Sequence, residues 1–219
     1  MVAAPAGAQP FTWQENCADQ RLGPDLAIDY CTRAIASGEF AATTLARLHH
    51  NRAAAWQRKN AAEQELADLD EALRLDPALA PAYLHRGRAW LRRKQAARAI
   101  ADFSEALRLA PAQMTKAGAQ LERGTAHLGR KDYDAAIADF SAAIEADADN
   151  PRAFFNRAYA WGEKRDYGRA IADYSEAIRQ SPLEPRGYFN RGEIYRRLGD
   201  RQRAAADFAE ARRLRAGRR

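Results

Sequence analysis

Residues 151–184 read PRAFFNRAYAWGEKRDYGRAIADYSEAIRQSPLE, and residues 185–214 read PRGYFNRGEIYRRLGDRQRAAADFAEARRL. Set one above the other, they agree in residue type along most of their length. Pro151 falls on Pro185, Arg152 on Arg186, Phe155 on Phe189, Asn156 on Asn190, Arg157 on Arg191, Asp173 on Asp207 and Ala177 on Ala211. Three earlier segments, Ala46–Leu79, Ala80–Gln113 and Ala117–Asn150, enter the same columns without gaps, with Met114, Thr115 and Lys116 between the second and third. A period of about 34 residues marks a helical solenoid, in which one repeat cannot bury its apolar face until a neighbour stacks on it.

The columns have a physical reading. Small residues recur at Ala53, Gly87, Gly124, Ala158 and Gly192, and again at Ala99, Ala136, Ala170 and Ala204, where two helix backbones can approach closely. Large residues recur at Leu69, Phe103, Phe140, Tyr174 and Phe208, and at Trp56, Trp90, Trp161 and Tyr195, with His127 in the last column. Apolar spacing within a segment is helical, as in Ala170, Ile171, Tyr174, Ala177 and Ile178. Asp166 and Gly199 interrupt it mid-repeat, and Pro77, Pro111 and Pro182 end it. Asn150-Pro151 is a good helix start, an N-cap followed by a residue pre-set for the first turn. Each segment is therefore two antiparallel helices joined by a short turn. Arg52, Arg86, Arg123, Arg157 and Arg191 recur on the first helix, and Asp68, Asp102, Asp139, Asp173 and Asp207 on the second. This predicts a ladder of ion pairs, mostly within a repeat.

Over residues 46–214 the pattern resembles the tetratricopeptide repeat family of bacterial type, with Phe154, Ala158, Trp161, Tyr167, Ala170, Tyr174, Ala177 and Pro182 as the best copy. The resemblance implies an all-α, right-handed superhelical solenoid of antiparallel helix pairs whose first helices line a concave, partner-binding face. Carried over, that face comprises Arg47, His50, Asn51 and Ala54, then Leu84, His85 and Arg88, then Leu121, Glu122 and Thr125. It continues through Arg152, Phe155, Asn156 and Tyr159 to Arg186, Phe189, Asn190 and Glu193. Asn51, Asn156 and Asn190 share a column suited to holding a peptide backbone, since an amide both donates and accepts. Phe155, Tyr159 and Phe189 suit the anchoring of apolar side chains; the alternative is that these rings pack on the next repeat. Relatives that hold acidic chain termini place basic and Asn side chains where this chain has Leu84, Leu121, Phe155 and Phe189, which argues against that activity. Glu65 replaces a recurrent Ala and predicts loose packing in the first full repeat. Gln120, His127 and Ala148 make the third repeat the expected soft point.

The first 45 residues form a degenerate copy. Leu26, Ala27, Ile28, Cys31, Ala34 and Ile35 match a second helix, Trp13–Arg21 offers a short first one, and Gly38 ends the hairpin. This divides the chain into a disordered start over 1–10, a helical hairpin over 11–45, the five repeats over 46–214 and a basic tail over 215–219. Cys17 and Cys31 are the only cysteines, one on each helix of the hairpin. Antiparallel packing would bring them together as a disulfide, which would stabilise a hairpin with little core of its own; the alternative is two buried thiols. Val2–Pro10 is small-residue-rich, like the neighbourhood of a signal-peptide cleavage site. With the cysteines it points to a periplasmic or exported protein, against a cytoplasmic one with an ordinary N-terminal extension.

The net charge of +6 is uneven: residues 186–219 hold eleven Arg against Glu193, Asp200, Asp207 and Glu210. This basic end reads either as weak contact with an anionic surface or as a solvated helix end whose cations complement the helix dipole. Nucleic-acid binding is disfavoured, because no reading motif or interleaved aromatic stripe accompanies the charge. No apolar run reaches the roughly 20 residues needed to span a bilayer. No Gly-rich phosphate loop, paired nucleophile and base, or metal-ligand spacing stands out, so no cofactor or metal is expected. His50 and His85 can meet across neighbouring repeats, but two imidazoles alone make a poor metal site. The expectation is a non-catalytic, monomeric scaffold that binds a protein or peptide; the alternative is a regulatory subunit of an enzyme or envelope complex.

Overall fold

The computed structural model describes residues 10–19, 21–109 and 113–217. Of the start read above as disordered over 1–10, Met1–Gln9 lie outside the described residues and Pro10 begins the first helix; Arg218 and Arg219 of the tail also lie outside the described residues, within which there are twelve α-helices and no strand. The chain divides into two compact units, Met1–Leu109 and Ala110–Arg219, where the repeat pattern alone suggested one continuous array. The first holds α1 (Pro10–Ala18), α2 (Pro24–Ser37), α3 (Ala42–Arg58), α4 (Ala62–Leu75), α5 (Ala80–Arg92) and α6 (Ala96–Leu109). The second holds α7 (Gln113–Gly129), α8 (Tyr133–Ala146), α9 (Pro151–Glu163), α10 (Tyr167–Gln180), α11 (Pro185–Arg197) and α12 (Arg201–Ala216). Within each unit successive helices pack on one another in pairs, and each pair on the next.

Helix boundaries follow local chemistry. Pro24, Pro81, Pro151 and Pro185 sit in first turns, where a missing N–H costs nothing. Asn150, Asp166 and Asp200 cap α9, α10 and α12 by accepting from the backbone N–H of Ala153, Arg169 and Arg203. The helices α3 and α7 lack such a proline and begin a turn earlier than the repeat columns implied, at Ala42 and Gln113, so that Met114–Lys116 is helix and not spacer. The turn inside every full repeat places one residue in the left-handed region: Asn60, Lys94, Lys131, Arg165 and Gly199. Only the last is the type that adopts it without steric cost.

The small-residue column is explained by what faces it. A Cβ added at Gly87 would lie 2.5 Å from the Phe103 ring, and one at Gly124 would lie 2.7 Å from that of Phe140. Both rings are fully buried and cannot give way. Gly87→Ala is therefore expected to destabilise the protein by about 1–3 kcal/mol, the usual cost of overpacking a filled core. The check is a lower urea midpoint at unchanged slope.

Recurrent charge locks helix to helix. In all five full repeats the first-helix Arg donates from Nε and Nη2 to both carboxylate oxygens of the second-helix Asp, at 2.6–2.9 Å. The Asp side chains are buried. The remaining nitrogen reaches back to the preceding helix: Arg52 Nη1 to Thr32, Arg86 to Asp70, Arg157 to Ser141 and Arg191 to Ser175, at 2.7–3.0 Å. One guanidinium thus ties three helices, fixing register through planar, bidentate geometry. Burial pushes the Asp68 pKa up, but hydrogen bonds from Arg52 and His49 outweigh it and hold the group below its usual value. A lowered carboxylate contributes stability above its unfolded pKa, and that stability is lost as pH falls through the folded one, here below about pH 4.

Glu65 corrects an expectation. It is 2% exposed and pairs with Arg92, while His85 Nε2 lies 3.1 Å away, off the line of a hydrogen bond. The position is filled by a buried carboxylate paired with an exposed arginine of the following helix and is not loosely packed. In the third repeat Gln120 Oε1 and His127 Nδ1 are buried without hydrogen-bond partners.

In the N-terminal hairpin Cys17 and Cys31 form a disulfide with a Cα–Cα distance of 4.7 Å. Tyr30, Ala34 and Leu48 bury with it, flanked by Trp13, Leu22 and Leu26. At the other end of the chain α12 buries Ala204, Asp207, Ala211 and Leu214 and leaves Ala205, Ala206, Ala209 and Arg212 exposed. That outward face is one that a helix closing a stack can present to water.

Candidate functional site

In the C-terminal unit the first helices of two repeats, α9 and α11, present Arg152, Phe155, Asn156 and Tyr159, and Arg186, Phe189, Asn190 and Glu193. Positions three and four apart share a helix face. Between these helices opens a cleft of about 460 Å³. Phe155, Ala177 and Ile178 supply apolar lining, Thr125, Asn156 and Ser181 neutral polar groups, and Arg152, Glu184 and Arg186 charge. A smaller cavity of about 120 Å³ follows along the same helices, lined by Tyr159, Glu163, Tyr174, Asn190, Glu193 and Arg197.

The aromatic side chains are not equivalent. Phe155 is half-buried, edge-on to Tyr174 at 5.4 Å between centroids, and the guanidinium of Arg186 lies over it at 5.0 Å. Its ring is therefore in part a packing element, as the alternative reading of the groove allowed. Phe189 is 39% exposed and Tyr159 43% exposed; Phe189 leans on Phe208 and carries Arg215 over its ring at 5.3 Å. Asn156 Nδ2 donates to Thr125 Oγ1 at 3.5 Å and Asn190 Nδ2 to Tyr174 Oη at 3.4 Å. Both bonds are long, so both amides are held only weakly in place. Burial pushes the Tyr174 hydroxyl pKa well up, so it stays protonated. Glu184 Oε1 accepts weakly from the Arg186 N–H at 3.4 Å, and Glu193 pairs with Arg196 at 2.6 Å.

Leu121 departs from its expected place. It is 4% exposed and packs with Phe140 and Ala143 in the core, because a branched apolar side chain at this position gains more inside than at the rim. In the N-terminal unit Arg47 and Arg88 are exposed and Leu84 and Asn51 half-buried. His50 and His85 meet edge to face at 5.4 Å. Burial, and secondarily His85, pushes the His50 pKa down to about 4, which keeps it neutral near pH 7. The repeat columns gave Ala177 and Ile178 as apolar helix spacing and not as groove residues, and left Ser181 out; all three line the cleft from the end of α10. Their signal was the proline-marked turn that brings this end beside the next first helix.

A stack of antiparallel helix pairs with a furrow between first helices is the architecture of an interaction solenoid. The chain belongs to the tetratricopeptide repeat family: that family's model matches residues 66–113, 121–167 and 162–218, together more than half the chain. The family's fold generally serves protein interaction rather than catalysis. Among solved structures the chain is similar to YrrB, described as a TPR protein with an unusual peptide-binding site, at 22% identity and a TM-score of 0.71, covering 86% of this chain and 93% of that one. It is also similar to MamA from Desulfovibrio magneticus RS-1, at 23% identity and a TM-score of 0.73, covering 78% and 96%. At these identities the likeness concerns the fold. No curated protein sequence is similar enough to the chain to count as a relative. Among the described residues no helix is long and apolar enough to cross a membrane.

Proposed function

We propose that the protein is a non-catalytic scaffold whose cleft between α9 and α11 holds a peptide segment of a protein partner. The cleft carries the reading: an apolar lining beside weakly held amides, with Tyr159 and Phe189 exposed along the same helices. Apolar side chains would dock on the rings, and Asn156 and Asn190 would turn to the peptide backbone, exchanging weak internal bonds for better ones. Arg47, His50, Asn51, Leu84 and Arg88 form a candidate contact face of the N-terminal unit by itself. Service as a monomer in an exported or periplasmic compartment accords with an outer face of α12 made of small and basic side chains, and with the disulfide.

The test is selection of peptides from a displayed library on the full chain, then titration against the parent and against Phe155→Ala combined with Phe189→Ala. Losing two aromatic anchors is expected to weaken binding by about 2 kcal/mol or more, roughly thirtyfold. A double variant that binds as tightly as the parent would put the binding face elsewhere.

A further inference from the structure

Many arginines on this chain are paired. In the C-terminal unit Arg157 and Arg191 are tied to Asp173 and Asp207, and Arg179, Arg203 and Arg213 to neighbouring carboxylates on their own helices. Among the described residues Arg165, Arg197, Arg201 and Arg212 form no ion pair; Arg152 and Arg186 share this but differ from them in lining the 460 Å³ cleft. Both are exposed, both line the 460 Å³ cleft, and neither forms an ion pair among the described residues. Two further features add positive potential. The first turns of α9 and α11 both line the cleft, through Pro151 and Arg152 and through Arg186 and Gly187, and each brings the positive end of a helix dipole. The one carboxylate on the rim, Glu184, already accepts the Arg186 backbone N–H.

Resting on the peptide-groove reading, we propose that the cleft selects segments in which an Asp or Glu side chain lies two or three residues from an apolar one, with Arg152 and Arg186 receiving the carboxylate. The apolar side chain goes to the lining of Phe155, Ala177 and Ile178. Phe155 has a second task as a positioning residue. Arg186 lies over its ring, which holds the guanidinium in place before the ligand arrives and so lowers the ordering cost of the ion pair. The carboxylate is taken as an internal side chain, because the apolar lining of Phe155, Ala177 and Ile178 beside the two exposed arginines gives a neighbouring apolar side chain its own place in the cleft.

The test uses the full chain and amidated twelve-residue peptides that pair Leu or Phe with Asp/Glu, with Asn/Gln or with Lys at matched spacing. At low salt the acidic set is expected to bind at least tenfold tighter than the amide set, and the preference should shrink as salt rises. Arg152→Gln with Arg186→Gln should erase the preference while leaving weak binding of the amide set. Phe155→Leu keeps an apolar lining but removes the ring under Arg186, and should reduce the preference more than it weakens the amide set. Equal binding of the amide or Lys set would overturn the proposal while sparing the peptide reading. So would a preference that survives the double Arg variant, a requirement for a free C-terminal carboxylate, or tighter binding of matched phosphoserine peptides. Failure of every set would overturn both.

Discussion

Asp173→Ala is expected to destabilise the C-terminal unit by about 3–5 kcal/mol, the range for removing one partner of a buried ion pair. Asp173 is buried and accepts Arg157 Nε and Nη2, each at 2.8 Å, while Arg157 Nη1 also holds Ser141 at 3.0 Å. Removing the carboxylate leaves a mostly buried guanidinium with one neutral partner and loosens α8, α9 and α10 together. The pair itself is worth less than its loss, because desolvation offsets most of the attraction. A double variant, Arg157→Met with Asp173→Leu, should therefore recover most of the stability. Urea unfolding of the two variants and the parent checks this. A single variant within about 0.5 kcal/mol of the parent, the range of ordinary surface changes, would show that the ladder is not a structural lock.

Opening the Cys17–Cys31 bond is expected to cost about 3 kcal/mol, the chain-entropy value for a short closed loop; the two cysteines are 14 residues apart in sequence. The helix α1 is short and has no side-chain charge in its first turn. It relies on the small cluster around Trp13, Tyr30 and Leu48. Cys17→Ser with Cys31→Ser should speed amide exchange across α1 and α2 and lower the melting temperature of that region. Identical exchange with and without reductant would contradict this.

The sequence showed the helix pairs and the five Arg–Asp pairs, because each recurs in register. Features that occur once were hidden. Glu65 read as a flaw until Arg92 and His85, from the following helix, were placed beside it. Leu121 shares a column with Phe155 and Phe189 but turns into the core, since a column fixes position and not rotamer. The left-handed turn residues were masked because Lys94, Lys131 and Arg165 carry no backbone signature; only alignment with Gly199 reveals them. Within the cleft the first-helix side chains were legible by period, whereas the contribution of α10 and the Phe155–Arg186 contact depend on how one repeat sits on the next.

The central claim is that the furrow between α9 and α11 is where a partner segment sits. Amide chemical-shift mapping of the isotopically labelled full chain, titrated with a selected peptide, tests it most directly. The account predicts the largest changes at Phe155, Asn156, Ile178, Ser181 and Gly187, with saturation at one peptide per chain. Changes confined to the outer faces of α8 and α12, or to the N-terminal unit, would contradict it.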